Sequence, residues 1–371
     1  MNVPELRFPE FEGEWERKKF GEIATNRSGK YNPEKEINSI KCIELEHLAS
    51  ETAQLLGYVD GKNSGSIKNK FDSGDVLFGK LRPYLKKYLL APFEGVCSSE
   101  IWVLKGTKIL NEFLFRIVQT NNFIDLANQS SGSKMPRADW SVVENGLFSF
   151  PTLPEQSKIA TFLTAVDEKL QALKKKKSLL EVYKKGVMQK LFSQELRFRS
   201  EDGKEFGDWE EKKLGEVCVN LASGKDKPNA DNTYPVYGSM GIIGYSVNFS
   251  YEGVSLLIAR VGANAGTIKI VEGKYGVTDN TLVLKNNSKV EILFLYYLLI
   301  FQNLNKLVFG SGQPLITAGH LKAINLNLPS LPEQTFIANF LFSLDEKINH
   351  TQNEITKTEV WKKGLLQKMF V

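Results

Sequence analysis

Three cysteines and three histidines are all that 371 residues provide of the side chains most used in covalent and metal chemistry. Cys42, Cys97 and Cys218 are widely spaced and form no CxxC pair, which removes the basis for a disulfide framework or a cysteine zinc site. His47, His320 and His350 show neither HxH nor HxxxH spacing, so no metal centre is expected and no Ser/His/Asp or Cys/His set can be nominated. Long apolar runs are equally scarce. The longest, Ile292–Phe301, has ten residues, whereas a bilayer span needs about 20; it reads as a buried core helix. Met1–Phe20 lacks a basic start, an apolar stretch and a small-residue cleavage site, so a soluble, cytoplasmic protein with no membrane partner is expected.

Cofactor signatures are missing too. A phosphate-binding GxxxxGK[ST] loop does not occur. The Asn/Asp-Pro-Pro-aromatic loop with which amino-methyltransferases hold a target amine has only a distant echo in YNPEKE at Tyr31–Glu36, with one proline and no following aromatic. Val236–Ser246, VYGSMGIIGYS, spaces its glycines as GxxGxxG and not GxGxxG, and reads as strand and turn. No cofactor and no catalytic residue are expected.

The length predicts two or three domains, and a hydrophobic share of 42% supplies enough apolar material for several cores. A net charge of +5 and a pI near 8.8 suit a nucleic-acid partner without establishing one.

What the chain does have is a repeat. Leu153–Phe192 and Leu331–Phe370 align without gaps, 178 residues apart, with 19 identities in 40 positions. Both begin Leu-Pro-Glu-Gln, share Asp167/Asp345, Glu168/Glu346 and Lys169/Lys347, and close on EVYKKGVMQKLF and EVWKKGLLQKMF. Each copy reads as a long helix. Pro154 and Pro332 suit the first turn, where an N–H is unused, and Glu155 and Glu333 suit the positive end of the helix dipole. In the first copy Ile159, Leu163, Val166, Leu170, Leu173 and Leu180 recur four and three apart, with Lys177 out of place. In the second, Ile337, Leu341, Leu344, Ile348 and Ile355 do the same, interrupted at Thr351. Gly186 and Gly364 are expected to weaken or bend the last turns. Forty residues at about 1.5 Å each give a rod of roughly 60 Å. Two matching narrow seams favour pairing with each other over separate docking of two amphipathic helices.

The repeat continues outside the rods. GEWERKKFGEI at Gly13–Ile23 matches GDWEEKKLGEV at Gly207–Val217. Phe78-Gly79-Lys80 falls on Ile258-Ala259-Arg260, Val103-Leu104-Lys105 on Val283-Leu284-Lys285, and Pro136 on Pro314. Short apolar runs divided by glycine and asparagine turns predict strands and hairpins, and Ile109–Gln129 and Val290–Val308 read as helical. The expected organisation is an α/β or α+β domain over 1–150, a helix over 151–195, a second such domain over 196–328 and a second helix over 329–371. The two helices should form an antiparallel coiled coil with pseudo-twofold symmetry.

Basic, polar and aromatic side chains sit at glycine-bounded turns of both domains. Lys80, Arg82, Tyr84, Lys86 and Lys87 crowd into GKLRPYLKKY, and Lys134 and Arg137 lie in SSGSKMPRAD. In the second domain Arg260 and Asn264 occupy ARVGANAG, while Gln313 and Thr317 lie in GSGQPLITAGH. Arg, Lys, Asn and Gln are the side chains that make paired contacts with purine edges in the major groove, while other cations neutralise phosphates. A single lysine is better read as solvated surface. Two basic or polar loops at aligned positions favour DNA reading.

With these residues in view, the chain resembles the specificity subunits of type I restriction-modification systems. The likeness rests on the doubled LPEQ…FL…DEK…KKG…QK helices, each following a variable domain, and covers essentially the full length. The resemblance implies a non-catalytic subunit whose variable domains are target recognition domains. Each would read half of a split double-stranded DNA sequence, and the helices would act as a spacer. It implies two partner adenine-methylating modification subunits, with motor-nuclease restriction subunits joining. One departure is the lysine-poor middle of the second rod, where TQNEITKTE replaces LKKKKSLLE. The rivals are a protein-only scaffold and an autonomous methyltransferase, and the missing motifs weigh against the latter.

Overall fold

A computed structural model describes residues 2–36, 38–129, 135–229, 233–310 and 314–371. It resolves into two compact units, Met1–Leu173 with Glu354–Val371, and Lys174–Asn353.

In the first unit, Glu16–Lys19 pairs antiparallel with Leu147–Phe150, Glu16 facing Phe150. This joins the GEWERKK segment to the strand that leads into the first long helix. A four-stranded sheet follows in the order Ala24–Thr25, Ile101–Gly106, Val76–Gly79, Tyr88–Leu90. A second, five-stranded sheet has Gly95–Cys97 at its centre, parallel to Lys41–Ile43 and antiparallel to Lys68–Phe71. Strand side chains alternate between faces, and here both faces are covered. Val76 and Phe78, with Trp102 and Leu104, enter a core with Trp15, Phe20, Phe113 and Phe123. Their neighbours Leu77, Ile101 and Val103 enter another with Ile43, Leu48 and Phe71. Continuous apolar runs such as VLF and IWVL are therefore strands buried on both sides.

The second unit repeats the plan. Glu210–Lys213 pairs with Asn325–Leu328. A four-stranded sheet runs Cys218–Ser223, Thr281–Asn286, Ser255–Ala259, Ile268–Val271, and a second runs Gly241–Ser246, Tyr234–Gly238, Lys274–Val277, Tyr251–Glu252. Leu256, Ile258, Leu282 and Leu284 face one core, and Leu257 and Val283 face the other. The glycine-rich VYGSMGIIGYS forms a β-hairpin.

The ten-residue apolar run forms the helix Ile292–Gln302, started by the Glu291 carboxylate accepting from the Phe294 N–H. Its counterpart in the first unit is broken into Asn111–Ile117 and Asn121–Asn128, because the Thr120 hydroxyl caps a new helix.

Each long helix is unbroken, Leu153–Phe192 and Leu331–Lys368. Gly186 and Gly364 therefore do not end them, and both lie in open space that demands no side chain. In the first unit Ile159, Leu163 and Val166 from the start of one helix share a core with Leu365 and Met369 from the end of the other. In the second unit Leu191 and Phe192 meet Ile337, Ala338, Leu341 and Leu344. Start packs against end in both units, so the helices run antiparallel. Leu170, Leu173 and Ile348 are only half-buried. Thr351, which looked like an interruption, is fully buried, and its hydroxyl donates to the Lys347 carbonyl one turn back. Thr358 is buried in the same way, with its hydroxyl on the Glu354 carbonyl. The seam continues through small polar side chains that satisfy themselves locally.

Candidate nucleic-acid interface

In the first unit a tight loop links Val76–Gly79 to Tyr88–Leu90. Its frame is made by backbone bonds: Lys80 N–H donates to the Glu100 carbonyl at 2.9 Å, Ala138 N–H to Lys80 at 2.8 Å, Arg82 N–H to Pro136 at 2.7 Å, and Gly79 N–H to Lys87 at 2.8 Å. The second unit has an equivalent frame between Ser255–Ala259 and Ile268–Val271. There Arg260 N–H donates to Asn280, Ile316 N–H to Arg260, Gly262 N–H to Pro314 and Ala259 N–H to Thr267, each at 2.9 Å.

The correspondence extends to backbone angles. Arg82 (φ 54°) and Lys86 (φ 50°) are left-handed where the second loop has Gly262 (φ 81°) and Gly266 (φ 88°). Glycine takes this conformation freely, whereas a side chain there costs about 1–2 kcal/mol. The first head retains two strained cations on a backbone that the second builds from glycine. Strain of this kind concentrates at functional sites.

Around these frames the candidate residues fall into distinct environments. Lys80 and Arg82 have no side-chain partner among the described residues, and Tyr84 is 53% exposed on the short helical turn Pro83–Leu85. Lys86 lies 3.5 Å from Glu51. Lys87 is turned inward, its ammonium donating to the Leu45 carbonyl at 2.6 Å. Arg137 grips Glu100 with Nε 3.0 Å from one carboxylate oxygen and Nη2 3.1 Å from the other. In the second head Arg260 donates to the Asp279 carbonyl at 3.2 Å, and Asn264 is exposed. Thr317 caps the helix Ala318–Lys322 by accepting from His320 N–H at 3.3 Å. Lys134 and Gln313 lie outside the described residues. The frames thus bring Lys80, Arg82, Tyr84 and Arg137 together in one head, and Arg260 and Asn264 in the other.

Other residues at these loops are acidic or neutral and do not appear in a search for basic patches. Glu100 is held by Arg137, and Asp279 and Asn280 occupy the corresponding turn of the second head. The signal available for them was their place three or four positions ahead of the aligned Val103-Leu104-Lys105 and Val283-Leu284-Lys285.

The helices carry matched polar pairs. Asp167 accepts from Lys362 at 2.7 Å and from Arg116 at 2.5 Å. Asp345 accepts from Lys184 at 2.5 Å and from the Tyr297 hydroxyl at 2.7 Å. Asp345 and Lys362 stand 178 residues after Asp167 and Lys184, so the second pair is the first with the helices exchanged. Burial, followed by the bond to Asp345, pushes the Tyr297 phenol well above its ordinary value. The repeated LPEQ also gains a structural purpose. Glu155, 1% exposed, accepts two bonds from Arg7 at 2.8 Å, and Glu333, fully buried, accepts from Arg197 at 3.0 and 2.7 Å. Gln156 bonds the Pro151 carbonyl and the Leu110 N–H, and Gln334 bonds the Pro329 carbonyl and the Glu291 N–H. Among the described residues no helix is long and apolar enough to cross a membrane.

Two mixed α/β heads in tandem, each running into a long helix and the helices paired antiparallel, define a duplicated head-and-helix architecture. The sequence model of the type I restriction modification DNA specificity domain matches residues 12–182 and 207–358, and the chain belongs to that family. It is 28% identical over 329 residues to the type I restriction enzyme MjaVIII specificity subunit of Methanocaldococcus jannaschii, covering 75% of this chain and 77% of that one. It is 32% identical over 154 residues to the EcoDI specificity subunit of Escherichia coli; that match spans 41% of this chain and 34% of the relative. The crystal structure of a type I restriction-modification S subunit from M. genitalium superposes with a TM-score of 0.66 at 17% identity, covering 100% of this chain and 99% of that one, which supports the fold. The chain is a type I restriction-modification specificity subunit with two recognition domains.

Proposed function

We propose that this subunit carries no catalytic activity of its own, reads a bipartite double-stranded DNA target in the cytoplasm, and holds the subunits that act on it. The recognition domains are taken as 1–150 and 196–328, and the spacer helices as 151–195 and 329–371. The observation that carries the reading is the pair of equivalent loop frames bearing unlike side chains. One backbone scaffold presents Lys80, Arg82 and Tyr84 in the first head and Arg260 and Asn264 in the second. Heads built alike but furnished differently suit two different half-sites. The helices, in contrast, repeat their crossing pairs identically, which suits two copies of one partner.

These matched helix faces are the proposed seats of two adenine-methylating modification subunits, with motor-nuclease restriction subunits added to that core. Val182-Tyr183 on one helix and Val360-Trp361 on the other are equivalent, and each has at least 47% of its surface exposed. Lys and Arg at the loops neutralise phosphates or contact base edges. Reconstitution tests the proposal: adenine methylation at specific sites is expected only when the chain and its modification partner are combined. Methylation by the chain alone, or an unchanged pattern when the chain is omitted, would refute it.

A further inference from the structure

The second recognition domain contains a cleft of about 480 Å³ beside the glycine-rich hairpin Val236–Ser246. Its lining includes Lys225 and Lys227, Met240 and Ile243 of the hairpin, and Asp279 and Asn280. The cleft adjoins the loop frame already described, because Arg260 N–H bonds the Asn280 carbonyl at 2.9 Å and the Arg260 guanidinium bonds the Asp279 carbonyl at 3.2 Å.

The walls are fixed in place. Ser239 donates to the Asn280 carbonyl at 2.8 Å, tying the hairpin tip to the turn at Asp279 and Asn280. Asp226 accepts from Val277 N–H at 2.7 Å, tying the Lys225–Pro228 segment to the neighbouring strand. Gly244 lets Pro228 approach the hairpin, since a Cβ there would stand 2.6 Å from the proline ring. Asp226 is thus consumed by the scaffold, whereas the side chains of Asp279 and Asn280 are exposed and have no partner among the described residues. Met240 is 75% exposed and Ile243 54%, an unusual outlay of apolar surface beside free polar groups.

We propose that this cleft receives the major-groove edge of an A·T base pair in the half-site read by the second domain. An A·T pair offers there a thymine methyl group beside the adenine N6 amino group and N7. Asn280 matches the adenine edge, accepting from N6 and donating to N7. Met240 and Ile243 supply the apolar contact for the methyl group. The Asp279 carboxylate repels phosphate, which keeps the sugar-phosphate backbone away from this part of the cleft, while Lys225 and Lys227 meet the flanking phosphates. A G·C pair lacks the methyl group, and its guanine edge offers two acceptors, N7 and O6, where the Asn280 amide needs one donor and one acceptor.

This inference rests on the proposed DNA-reading function, and the test separates the two. Each variant chain is expressed with its modification subunits, and methylated adenines are mapped on a randomised plasmid library. Asn280→Ala should relax one A·T position of the second half-site, cutting discrimination there by about 5- to 150-fold, the equivalent of about 1–3 kcal/mol. Met240→Ala should weaken the thymine preference at that same position, and the other half-site should stay unchanged in both. If Arg260→Ala alters the second half-site while Asn280→Ala and Met240→Ala leave every position intact, the cleft is not a reader and the inference falls alone. If none of the three alters methylation, the second domain's reading role falls with it.

Discussion

Arg82 stands in a left-handed conformation that the other head fills with Gly262. Replacing it with glycine removes the strain together with the cation. Arg82→Gly should therefore leave the fold intact, shifting stability by up to about 1 kcal/mol in the stabilising direction, while DNA affinity falls. A urea titration and a salt-dependent binding curve measure the two effects. A lost base contact weakens one position, whereas a lost phosphate contact lowers the salt slope by about one. A variant both less stable and equally tight on DNA would show that Arg82 serves the fold. Cys42 makes a simpler case: burial pushes its thiol up to about 12, with Glu44 adding to the effect. Between pH 7 and 9 it stays protonated, so native protein should resist alkylation at this site and urea-unfolded protein should not. The positions of these residues in the chain were legible, but their conformations were not, because nothing local distinguishes an arginine at positive φ from any other.

At the scale of the element, the helices were readable because period and repeat agreed: Ile159, Leu163, Val166, Ile337, Leu341 and Leu344 are all buried. Leu341→Asp puts an unpaired charge into a fully buried site and should unfold the second unit's helix packing. The polar seam was not readable. Glu155 looked like a dipole residue because its partner, Arg7, is 148 positions away, and Thr351 looked like a break because a hydroxyl's local bond cannot be seen in a pattern. The two aspartates offer a quantitative test. Asp167 compensates both Lys362 and Arg116, the latter 3% exposed, whereas Asp345 compensates Lys184 and an uncharged Tyr297 hydroxyl. Asp167→Ala leaves a buried guanidinium unpaired and should cost about 3–5 kcal/mol. Asp345→Ala should cost less, about 1–3 kcal/mol. Chemical denaturation of both variants decides it, and equal losses would mean that Arg116 finds another acceptor.

At the scale of the whole molecule, one chain repeats a head and a helix so that the helices match while the heads differ. That organisation was legible because duplication writes itself into the sequence. The detail of the candidate interface was less so: the aligned basic loops pointed to Lys80 and Arg260, but Glu100, Asp279 and Asn280 carry no positive charge and join the loops only through folding. The central claim is that two unlike readers address two separate half-sites. Mapping methylated adenines in cells that express the chain with its modification subunits, wild type against Arg260→Ala, tests it most directly. The account predicts two short specific blocks separated by unspecified bases, with only one block relaxed by the substitution. A single continuous target, or both blocks relaxing together, would contradict it.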